Sequence, residues 1–203
     1  MSALDRPLTL LGRQWWWTWC LGLLLLGSVI YTYAGTVARE TYRTTWLPEN
    51  SVPFTLDGMA FMKVAYPGDY AGISWLNSHV HGAQVVAEAG DAYYNWMSRV
   101  SMFTGLPNII NGIHEPEQRY GDEIAARPDD VRSLYDSPSV LNAWRVIRAY
   151  GVRYIYVGFG ERVCTQAHCY SKAGLQKFRA MVGHGLEVAF QAPGITIYRV
   201  LGR

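Results

Sequence analysis

The densest run of side chains able to do chemistry lies between Glu88 and Arg119. It holds Glu88, Asp91, Tyr93, Tyr94, Ser98, Arg99, Ser101 and Thr104, followed by the string HEPEQR from His114 to Arg119. Arginine presents a planar fork of donors that suits phosphate and carboxylate groups, while His and Glu side chains exchange protons or bind hydroxyls. Glu88, Tyr94, Ser98, Arg99, His114, Glu115 and Arg119 are therefore candidate ligand contacts. Polar loops beyond strand ends are also where open α/β sheets bind their ligands. A plainer reading stands beside this one: Arg99 pairs with Glu88 to hold the loop, and His114, Glu115 and Arg119 form a solvated turn with an internal ion pair.

Other spacings carry less. Cys164 and Cys169 in VCTQAHC are separated by four residues, which fits a small disulfide loop in an oxidising compartment, two free thiols, or a zinc site using His168. The zinc option lacks a CxxC pair and a fourth ligand, so no metal is expected, and no cofactor is identified. There is no GxSxG, HExxH, Walker or GxGxxG motif. Gly158-Phe159-Gly160 resembles half of a glycine fingerprint, but Glu161 and Arg162 follow it and are expected to fix a strand end by ion pairing.

The elements that must position these residues follow from pattern. Asp69 is placed to cap a helix carrying Tyr70, Ile73, Trp75, Leu76 and Val80, and residues 83–87 read as a short buried strand. Residues 98–111 read as a long structured loop ending in a short strand at 108–110. Residues 129–135 and 137–150 are expected to be helical, with Ser137 as the second helix's N-cap, Pro138 at its first position and Gly151 past its end. VRYIYV (152–157) is the best strand, and its Tyr154 and Tyr156 are expected to pack rather than stack on sugars. A helix over 172–182 precedes strands at 186–191 and 194–200, joined by the turn Ala192-Pro193-Gly194. The fold class is α/β, with an open, mixed β-sheet flanked by helices.

Charge locates a second unit. Of 203 residues, 18 are basic and 16 acidic, and from Gln14 through Ala38 there is none of either. Residues 15–34 read WWWTWCLGLLLLGSVIYTYA, and a helix of that length spans about 30 Å, the thickness of a bilayer's hydrocarbon. Tryptophans crowd one end and Tyr31 and Tyr33 the other, as interfacial rings do. The expected layout is a cytoplasmic N-terminus at 1–14, a transmembrane helix at 15–34, a connector at 35–56 and an extracytoplasmic α/β domain at 57–203. Arg6 and Arg13 before the span balance Arg39 and Arg43 after it, so the outside placement leans on the cysteine pair. The net charge of +2 gives no basic field for a phosphate backbone, which argues against nucleic-acid binding.

Certain strings also occur in a recognisable order: TLDGMAFM (55–62), ISWLN (73–77), SRVSMFTGLP (98–107), HEPEQR (114–119), DVRSLYD (130–136), VRYIYVG (152–158), GERV (160–163), LQKF (175–178) and TIYRV (196–200). Together they resemble the C-terminal extracytoplasmic region of the Chlor_Arch_YYY family, polytopic membrane proteins similar to GT-C glycosyltransferases. The resemblance implies a single-pass cell-membrane protein that is an accessory domain of a glycosyltransferase acting on lipid-linked sugars and is not catalytic alone. Its implied partners are membrane lipid, a polytopic membrane subunit and a polyprenyl-phosphate sugar. The chain is then a truncated frame, a split-gene subunit or a fragment. Asn111-Gly112-Ile113 and Glu117-Gln118 stand where the family pattern has tryptophans flanking the His-Glu pair. The rival class is a structural or interaction subunit of a membrane complex.

Overall fold

The computed structural model describes residues 6–44, 57–90, 97–110, 121–162 and 170–202. It divides after Phe54 into two compact units, each considered by itself.

The first unit is one helix, α1 (Arg6–Thr44). Within it Trp15–Thr41 has a mean hydropathy of 1.7 and every side chain exposed, so this helix is long and apolar enough to cross a membrane. Three of its hydroxyls bond back to the helix: Thr32 donates to the Ser28 carbonyl at 2.8 Å, Thr36 to that of Thr32 at 2.6 Å and Thr41 to that of Val37 at 2.8 Å. Such back-bonding removes the need for water along the polar part of the helix. The helix continues through residues 35–44, ten positions that pattern alone assigned to the connector.

The second unit is a four-stranded sheet with helices on both faces. Its elements are α2 (Gly58–Ala65), α3 (Pro67–His79), β1 (Val85–Ala87), α4 (Arg99–Thr104), α5 (Asp122–Ala125), α6 (Arg127–Asp136), α7 (Val140–Ala149), β2 (Val152–Val157), α8 (Phe159–Arg162), α9 (Lys172–Ala180), β3 (Leu186–Ala192) and β4 (Ile195–Val200). The strand order is β1-β2-β4-β3, with β1 and β2 parallel and the other pairs antiparallel, so the sheet is mixed and open. Period-two alternation sends Ile155, Val157 and Tyr198 into one core with α6, α7 and α9. Tyr154, Tyr156, Ile195 and Ile197 enter a second core with α2 and α3. There Trp75 stacks on Phe190 at 5.7 Å and meets the Tyr154 ring edge-on, so the strand tyrosines are packing residues.

Three local expectations are corrected. Pro67 opens α3, so Asp69 lies inside its first turn rather than capping it. Ser139, not Ser137, caps α7, its hydroxyl accepting from the Asn142 amide at 3.2 Å, because residues 137–139 remain extended. Residues 99–104 form the helix α4 where a loop was expected, with Gly105 in the left-handed region as its stop. A further helix, α2, is capped by Asp57, which accepts from the Met59 amide at 2.9 Å.

The start of α9 abuts the end of α6. Ser171 donates its amide to Asp136 Oδ1 at 2.7 Å and its hydroxyl to the Asp136 carbonyl at 2.6 Å. A Cβ on Gly174 would lie 2.2 Å from the Tyr135 carbonyl oxygen, so this approach needs glycine. Lys177 is buried here, donating to the Leu134 carbonyl and, at 2.8 Å, to that of Gly174, and burial pulls its pKa down to about 8. The unfolded chain keeps that proton up to the ordinary value of 10.5, so between these limits the unfolded state binds more protons. Stability is therefore expected to rise with pH from about 8 to 9.5, and urea titration of Lys177→Met should show that slope flattened.

Candidate functional site

Because β1 and β2 run parallel, their carboxyl ends lie side by side, and the segments leaving them carry Glu88 and Gly158–Glu161. Arg99, the first residue of α4, projects into this junction with no solvent exposure. Its Nε donates to Asp69 Oδ2 at 2.8 Å and its Nη2 to Glu161 Oε2 at 2.8 Å, with Nη1 3.4 Å from Glu161 Oε1. The guanidinium also lies 5.0 Å from the centre of the Tyr156 ring, whose hydroxyl donates to Asp69 Oδ1 at 2.9 Å. Glu161 accepts from the Ala89 amide at 2.8 Å and the Gly158 amide at 2.7 Å. One carboxylate thus joins the segments that follow both parallel strands.

Glu88 serves a different end. Its two oxygens accept from the Val100 and Ser101 amides at 2.7 and 2.8 Å, and Asn108 Nδ2 donates to it at 3.2 Å. These are first-turn amides of α4 that no residue within the helix can satisfy, so Glu88 caps α4 from 12 residues upstream. Its hold explains why 99–104 is helical although Ser98 makes no side-chain cap and sits at φ 62°, the one non-glycine among the described residues at positive φ.

Electrostatics follow from burial. Arg99 is held well above its ordinary pKa: desolvation opposes its charge, but the Glu161 and Asp69 charges outweigh it. The Glu88 carboxyl is raised, chiefly by burial and against the pull of Arg99. The Tyr156 hydroxyl is pushed up by burial and by the Asp69 charge. Small residues are required around the guanidinium: a Cβ on Gly158 would lie 2.6 Å from Asp69 Oδ1 and 2.8 Å from Arg99 Nη2, and one on Gly160 would lie 2.6 Å from Arg99 Nη1. The G-x-G string here accommodates an arginine.

The structure places the candidates unequally. Glu88, Ser98 and Arg99 are all buried and share this junction, but Arg99 pairs with Asp69 and Glu161 instead of Glu88, because α4's amides occupy the Glu88 oxygens. An external anion reaches Arg99 only by displacing a carboxylate. Tyr94, His114, Glu115 and Arg119, with Cys164 and Cys169, lie outside the described residues. The stems of the two candidate loops do lie together, since a Cβ on Gly90 would be 2.6 Å from the Ile110 carbonyl oxygen. Asp69 and Tyr156 were missed as site residues. For Asp69 the signal was its place on the buried stripe of α3 with Gly72, Ile73 and Leu76. Among the described residues no cluster of three His, Cys, Asp or Glu side chains could hold a metal.

No protein-family model and no curated protein matches the chain. Among solved structures, the C-terminal globular domain of an oligosaccharyltransferase from Archaeoglobus fulgidus is similar at 13% identity, covering 64% of this chain and 94% of that one with a TM-score of 0.42.

Removing one partner of a buried ion pair leaves its charge stranded, so Glu161→Gln is expected to lower stability by about 3–5 kcal/mol in urea titration. Glu88→Ala should cost about 1–3 kcal/mol and speed hydrogen exchange at the Val100 and Ser101 amides above that of α7.

Proposed function

We propose that the chain is a single-pass, membrane-anchored accessory part of a GT-C-like glycosyltransferase that handles lipid-linked sugars, the transfer chemistry residing in a polytopic membrane partner. The observation that carries this reading is spatial. Strings scattered between residues 98 and 163, SRVSMFTGLP, VRYIYVG and GERV, supply the Arg99, Tyr156, Gly158, Gly160 and Glu161 of one buried junction. The resemblance drawn from them therefore rests on one structural unit. In that unit Glu88, Ser98 and Arg99 position the loop stems at Gly90 and Ile110. Tyr94, His114, Glu115 and Arg119 in the loops beyond contact the sugar phosphate, Arg119 through its donor fork.

The apolar span of α1 supplies the anchor, and the α/β unit lies on the extracytoplasmic side, where Cys164 and Cys169 close a disulfide loop. The junction favours an accessory role: its charged groups are engaged with one another and with backbone amides, and none is presented to solvent.

The test uses the full chain solubilised from its own membranes. It should co-purify with a polytopic protein, and that complex should bind a decaprenyl-phosphate sugar. Arg119→Ala is expected to weaken binding about tenfold, with Arg153→Ala as the unchanged control. Sugar transfer by the chain purified alone, or equal binding by wild type and Arg119→Ala, would refute the reading.

A further inference from the structure

On the opposite face of the sheet from Arg99, the carboxyl end of β2 opens onto a cleft of about 460 Å³. Its floor is set by strand register. Val157, Thr196 and Gln191 are cross-strand neighbours on β2, β4 and β3, and Tyr198 opposite Val188 forms the next row. One wall is α9, where Lys172, Leu175, Gln176 and Arg179 recur at i, i+3, i+4 and i+7 and so share a helix face. Arg162, at the end of α8, closes the other side, with its Nη2 3.5 Å from Thr196 Oγ1.

The charge here is one-sided. Among the described residues, Arg162, Lys172 and Arg179 line the cleft, no acidic residue does, and none of the three has a carboxylate within ion-pair distance. This contrasts with the junction across the sheet, where one cation meets two carboxylates. Arg162 follows Glu161 in sequence, but the two do not fix the strand end together. Glu161 does so through Arg99, while Arg162, its neighbour, is left facing the cleft. Two cations converge on one phenol: burial raises the Tyr198 hydroxyl above its ordinary pKa, and the charges of Arg162 and Arg179 draw it back. Like charges gathered without a counter-charge repel, and an anion seated among them relieves the repulsion.

We propose that this cleft binds the phosphoryl group of a small organic phosphate, held by Arg162, Arg179 and Lys172 with the Thr196 and Tyr198 hydroxyls beneath it. Two guanidinium forks and an ammonium suit a dianion better than a monoanionic carboxylate. The volume lies within the range of small-molecule sites and exceeds what a bare phosphate fills. Leu175, Val188 and the Tyr170 ring supply apolar surface for the organic part. The phosphate's source is either a soluble metabolite or a lipid headgroup. This site lies on the other face of the sheet from the junction proposed to position the sugar loops, and does not rest on the glycosyltransferase reading.

The full chain, reconstituted in phosphatidylcholine nanodiscs, is titrated calorimetrically with glucose 1-phosphate and, separately, farnesyl phosphate; glucose and farnesol are the uncharged controls. At least one phosphate should bind where its control does not, and which one binds identifies the source. Arg162→Gln and Arg179→Gln should each weaken it about tenfold, and Arg153→Gln, an exposed arginine outside the cleft, should leave it unchanged. Both cleft arginines are exposed, so the variants should melt as wild type does. Failure of both phosphates to bind, or affinity unchanged when Arg162→Gln and Arg179→Gln are combined in one chain, would overturn the proposal, and no partner subunit is needed for either result.

Discussion

A guanidinium removed from water must be met by carboxylates, and that requirement shapes the α/β unit around Arg99. Asp69 and Glu161 satisfy it from residues 30 and 62 positions away, tying α3, α4 and α8 to the ends of the parallel strands. The desolvation cost offsets much of the Coulomb attraction, so the network's value lies less in net stability than in specifying one arrangement of these elements. Glycines at 158 and 160, an extended Glu88 cap and the left-handed Ser98 are each demanded by the same buried group or by the helix that delivers it.

The separation of these partners also bears on folding. The β3–β4 hairpin joins neighbours in sequence, whereas β1 and β2 pair across the whole run of α4 to α7. Long loop closures are slow relative to local ones, so the hairpin is expected to form before the junction that buries Arg99.

Much of this architecture was legible in the sequence because it is written locally. The alternation in VRYIYV, the Pro-Gly turn before ITIYRV and the uncharged stretch 14–38 each report their element directly. What stayed hidden depends on distant partners. Residues 99–104 look like loop until Glu88 is seen to cap them, and Asp69 looks like a cap until Arg99 is seen to need it. Arg99 was picked out for its chemistry, but its surroundings, set by residues on three other elements, decide that it is an internal counter-ion.

Both outer strands of the sheet are poor templates for a further strand. β1 offers three residues, and β3 breaks its ladder at the register shift between Val188 and Phe190. A sheet terminated in this way resists zippering onto copies of itself. Where many copies are crowded together, that resistance keeps their encounters from becoming fibre growth.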